Sequence, residues 1–165
     1  MIPELFLCAA LTMAPVFSGN HFPNEADAAF FRMFVHFRNH EYSDDYKKRN
    51  PIILLVDDGP VLVDYLRARL IPAYAMSRYA SMSQWMFTGD IAQSPIADGS
   101  VWISVLINPL REVPELLALM RMTKPAGFLM ADISLHPSID RTLRNTRYER
   151  LPFNYHGYGI WRKSA

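Results

Sequence analysis

Apolar residues along the chain change their spacing, and the change separates helices from strands. Phe30, Phe31, Phe34 and Phe37 recur at helical intervals and predict a helix from Glu25 to His40. Asn24 is its expected N-cap, with Asp27 completing a loose capping box. Asn50-Pro51 stops any helix. Ile52 to Val56 is then a continuous β-branched and aliphatic run, the mark of a strand buried on both faces. Asp57-Asp58-Gly59-Pro60 reads as a turn. Val61, Leu62, Tyr65, Leu66 and Arg69 return to helical spacing, in a helix expected over Val61–Leu70 and ended by Pro72. Ala73–Met76 and Trp85–Phe87 predict short strands, and Val101–Ile107 a strong one. Asn108-Pro109 opens a helix carrying Val113, Leu116, Leu117, Leu119 and Met120, with a stop at Lys124-Pro125-Ala126-Gly127. Phe128–Ile133 is a fifth strand, Pro137–Arg147 a polar helix, and Tyr148–Tyr155 with Gly157–Arg162 a final antiparallel pair.

This alternation predicts an α/β fold: a mostly parallel sheet with helices on both faces and a C-terminal antiparallel hairpin. The expected layout is an apolar arm and loop over residues 1–24, then one domain over 25–165. Composition agrees, with 50% hydrophobic and 20% charged residues in 165. Cys8 is the one cysteine, so neither an internal disulfide nor a multi-cysteine zinc site is available. His36 and His40 lack an obvious third ligand, and no metal is expected. Leu5–Phe17 is apolar but lacks a basic leader and is too short to span a bilayer. The expectation is a cytoplasmic protein without a transmembrane segment.

The net charge of +1 offers no global attraction for nucleic acid. Its distribution is uneven, because six basic residues and one acid follow from Arg141 onward. Arg141, Arg144, Arg147 and Arg150 recur every third residue, and at least the first three are expected along one side of a helix. They are candidates to contact phosphates, a nucleic acid or an acidic protein partner.

Three local motifs carry a resemblance. Gly89-Asp90-Ile91 leads, after Pro95, to Asp98-Gly99-Ser100; Thr123-Lys124-Pro125-Ala126-Gly127 precedes strand five; and Gly157-Tyr158-Gly159-Ile160-Trp161-Arg162 forms the last strand. In this order, over about residues 50–163, the chain resembles the class I S-adenosylmethionine (SAM) dependent methyltransferases. The resemblance implies a Rossmann-like fold and a SAM site lined by Asp57, Gly59, Asp90 and Ile91. Asp90 matches the acid that accepts from the adenine amino group, and the Ile91 backbone lies alongside. The departures are equally specific. The family's Gly-x-Gly-x-Gly loop falls on Asp57, Gly59 and Val61, which keeps one glycine and adds a branched side chain. Ala75 falls where the family places the acid that holds the ribose hydroxyls. Asn108-Pro109 matches the start of an Asn-Pro-Pro-Tyr amine-binding motif, but Leu110-Arg111 follow, and helix capping accounts for both residues.

Two readings follow. In the favoured one, the cofactor site is degraded and the protein is a non-catalytic scaffold or binding subunit. In the other, it is a small active methyltransferase whose divergent loop holds SAM and whose catalysis is positioning, with no residue identified as a base.

Overall fold

The computed structural model describes residues 25–40, 52–56, 60–78, 83–106, 113–152 and 157–165. Helix α1 spans Glu25–His40, β1 Ile53–Val56, α2 Pro60–Ala68, β2 Ala73–Ser77 and β3 Met86–Thr88. A 3-10 turn at Ile91–Gln93 leads to β4, Val101–Leu106. Helix α3 spans Val113–Met122, β5 Thr123–Asp132, α4 Ile139–Leu143, β6 Tyr148–Arg150 and β7 Tyr158–Lys163. The strands form one seven-stranded sheet in the order β3-β2-β1-β4-β5-β7-β6. The first five are parallel; β7 is antiparallel to both β5 and β6. The expected mostly parallel sheet with a C-terminal hairpin is therefore present.

All four residues of β1 are buried, as its unbroken apolar run requires. Ile53 and Leu55 face one core with Leu62 and Leu66 of α2 and Phe30, Phe34 and Phe37 of α1. Leu54 and Val56 face the other, with Leu116 and Leu119 of α3 and Ile139 and Leu143 of α4. Fully burying each such side chain is worth roughly 1.5–3 kcal/mol. The phenylalanines also set the seat of α1. Phe37 meets Phe128 of β5 edge-on at 5.2 Å, and Phe31 meets Tyr65 of α2 at 4.7 Å.

Three elements depart from the pattern. Helix α2 ends at Ala68, two residues before the expected Leu70, and closes in a Schellman turn. The Ile71 N–H donates to Leu66 O at 3.0 Å and the Leu70 N–H to Arg67 O at 2.9 Å, with Leu70 left-handed at φ 59°. The Lys124–Gly127 stop is built into β5. Val101 pairs with Thr123, the register shifts, and Ile103 pairs with Phe128, while Ala126 takes φ 62°. The irregularity turns both Trp102 and Ile103 toward the α1–α2 core. The polar helix expected to reach Arg147 ends at Leu143, for reasons given below. Asn24 and Asn108 lie outside the described residues.

Leu70 is 77% exposed, so its side chain contributes little burial to set against its left-handed backbone. Leu70→Gly should raise unfolding free energy by up to about 1 kcal/mol, read from urea denaturation; no change or a loss would mean that the turn carries no strain.

Candidate functional site

The carboxyl ends of the parallel strands are where open α/β sheets bind ligands. Among the described residues, that end is bounded by the last residues of β2, the segment after β3 and the first turn of α3. Asp57 and Gly59 lie outside the described residues. Val61 sits half-buried in the first turn of α2.

β2 and β3 are tied at this end by the Gly89 N–H donating to Ser77 O at 2.9 Å. Asp90 follows directly and caps the 3-10 turn, its Oδ1 accepting from the Ala92 N–H at 3.0 Å. Its side chain remains 45% exposed. Ile91 is buried in the α3-side core. Asp90 and Ile91 therefore stand directly after β3, and the aspartate works locally as a cap.

Ala75 lies inside β2. It is the third residue of β2, fully buried, paired with Leu55 on one side and Met86 on the other. It does not reach the strand's end. The side chains there are Ser77, also buried, and Arg78. Arg78 forms an ion pair with Glu115 in the first turn of α3, and its Nη2 stands 3.9 Å from Asp90 Oδ1. The Glu115 side chain is 1% exposed. A carboxylate that deeply buried is tolerated only against a cation. A cation gripped by an acid thus stands directly after β2.

Neither Arg78 nor Glu115 stands out in the sequence. Glu115 reads as an ordinary helix-opening acid beside the positive end of the dipole. The available signal was its placement between Pro114 and Leu116 on a helix that must bury one side.

The Asp98-Gly99-Ser100 motif has a structural task. Gly99 is left-handed at φ 63° and donates its N–H to Arg121 O at 3.0 Å. The Arg121 guanidinium pairs with Asp98 and donates to Ile96 O at 3.0 Å. This clasp fixes the loop before β4 onto α3.

The four arginines do not form one face. α4 has only five residues, because the Thr146 hydroxyl donates to Leu143 O at 2.6 Å and Asn145 is left-handed at φ 66°. Arg141, Arg144 and Arg147 are exposed and form no ion pair among the described residues. Arg150 turns inward from β6. Its Nη1 donates to Asp140 Oδ2 at 2.7 Å, and its guanidinium lies 4.7 Å from the centre of the Trp161 ring. Trp161 Nε1 donates to the other oxygen of Asp140 at 2.9 Å. Arg144, Asn145 and Arg150 share a cavity of about 450 Å³ with Asp140, Leu143, Tyr148 and Trp161. Burial pushes the Tyr148 phenol up to about 12, partly offset by a hydrogen bond with Thr123. Burial, then the nearby charge of Arg147, lowers Lys163, against a smaller opposing pull from Asp98.

No family model matches the chain, and no curated protein sequence matches it. Solved structures do. A SAM-dependent methyltransferase from Aquifex aeolicus superposes with a TM-score of 0.55 at 13% identity, covering 82% of this chain and 96% of the other. A methyltransferase-like protein bound to the Trm112 activator of Haloferax volcanii gives 0.52 at 12% identity, over 87% and 99%. The MycE methyltransferase, with Mg, S-adenosylhomocysteine and mycinamycin VI bound, gives 0.55 at 14% identity, over 86% of this chain and 49% of that one. The fold is that of the SAM-dependent methyltransferases.

Removing Arg78 leaves Glu115 buried without its counter-charge. Arg78→Ala should therefore destabilise the protein by about 3–5 kcal/mol in urea melts, and adding Glu115→Leu should restore part of the loss. A cost below about 1 kcal/mol for Arg78→Ala would contradict a structural role for the pair.

Proposed function

Starting from the methyltransferase fold, we propose that this chain keeps the scaffold, has lost the cofactor site, and acts as a non-catalytic binding subunit. The observation that carries this reading is the ion pair between Arg78 and buried Glu115 at the carboxyl end of β2. The ribose of SAM needs acceptors for two hydroxyls there. Arg78 is a donor only, and its guanidinium is already committed to Glu115. Losing a charge-assisted contact typically costs about 1.5–3 kcal/mol per hydrogen bond, more than tenfold in affinity. The loop glycines that Asp57 and Val61 replace add to the loss. Because the residues at β2 do not fit the cofactor, no methyl-transfer step is assigned to them.

A binding subunit needs a partner. The Haloferax volcanii complex is a precedent for a chain of this fold held beside a partner protein. Arg141, Arg144 and Arg147, exposed and without counter-ions among the described residues, are the proposed contacts for an acidic protein surface or for phosphates.

One observation favours the alternative of an active enzyme with a divergent loop: Asp90 stands half-exposed after β3, where an adenine amino group would meet it. Isothermal titration calorimetry with SAM and with S-adenosylhomocysteine separates the two. The expected result is no saturable heat at about millimolar cofactor; a Kd near 1 μM would overturn the scaffold reading and call for a substrate search.

A further inference from the structure

We propose that the cavity between α4 and the β6–β7 hairpin binds a small phosphate monoester with an apolar body. It lies at the β6 edge of the sheet, with β6 and β3 at opposite ends of the strand order. By strand spacing it is roughly 20–25 Å from Arg78 and Asp90, so the inference does not depend on whether SAM binds.

Its volume of about 450 Å³ falls within the range of small-molecule sites. Leu143, Tyr148 and Trp161 supply apolar walls, and Arg144, Asn145 and Arg150 supply donors. The lining carries two arginines and one carboxylate, and both oxygens of Asp140 are already engaged, by Trp161 and by Arg150. Arg144 has no counter-ion among the described residues, so the cavity keeps a net positive charge.

Arg150 is preorganised. It is fixed by Asp140 and by the Trp161 ring, and Gly159 makes room for both. A Cβ at position 159 would lie 2.6 Å from Trp161 Cη2 and 3.0 Å from Arg150 Cζ. The glycine lets the indole and the guanidinium lie against the strand. Asn145, held left-handed at φ 66° by the turn that ends α4, adds an amide between the two arginines in sequence. The exposed guanidinium of Arg144, the charge of Arg150 held beside it and an amide suit a tetrahedral anion carrying close to two charges better than a carboxylate.

The test is titration calorimetry of the full chain with phenyl phosphate, with phenol, benzoate and a single-stranded RNA oligonucleotide as comparators. Phenyl phosphate should bind saturably and more tightly than phenol or benzoate. Arg144→Gln, an exposed change that leaves the core untouched, should weaken it about tenfold or more, and Arg141→Gln, outside the cavity, less than about twofold. No saturable heat at about 10 mM phenyl phosphate, or tighter binding of benzoate, would overturn the proposal. Equal losses in the two variants would do the same. So would tight RNA binding that depends equally on Arg141, Arg144 and Arg147, which would make the arginines a polyanion face instead.

Discussion

Burying the Glu115 carboxylate obliges the chain to bring a cation to it, and Arg78 is the cation that comes. That requirement joins the first turn of α3 to the carboxyl end of β2, two elements that the sheet order alone keeps apart. It also draws the arginine to within 3.9 Å of Asp90. Three charged side chains thus converge where this fold offers its strand ends to a ligand. Arg78 stands between the two carboxylates and is attracted to both, which holds the corner together. The acid that Arg78 meets comes from the first turn of α3 and faces inward.

The sheet itself was legible because its signals are local and repeated. Ile53 to Val56 could only be a strand covered on both faces, and Phe30, Phe34 and Phe37 could only be one side of a helix. The errors came where side chains competed with backbone. Thr146 and Asn145 end α4 four residues before the last of its expected positions, and Leu70 adopts a conformation usually left to glycine. Neither choice has a periodicity to betray it.

Of the candidate site, the sequence made the placement legible but not the partners. Asp90 and Ile91 follow β3 directly, as the Gly-Asp spacing suggested, because a turn directly after a strand has little freedom. Ala75 lies two residues before the end of β2, since counting along a strand cannot say where the strand ends. Arg78 and Glu115 are 37 positions apart and meet only through the crossover that stacks α3 against the 3-10 turn. The arginine series shows the same limit. Its spacing suggested one face, but the break after Leu143 divided it into three solvated side chains and one, Arg150, locked under Trp161 and Asp140.

The central claim is that the Arg78–Glu115 corner leaves no adenosine site beside Asp90. The most direct measurement is a ¹H–¹⁵N NMR titration of the full chain with S-adenosylhomocysteine, following the amides of Ser77, Arg78, Gly89, Asp90 and Ile91. The account predicts that these resonances stay in place at millimolar ligand. Saturable shifts confined to those five amides would contradict it and return the protein to the cofactor-binding members of its fold.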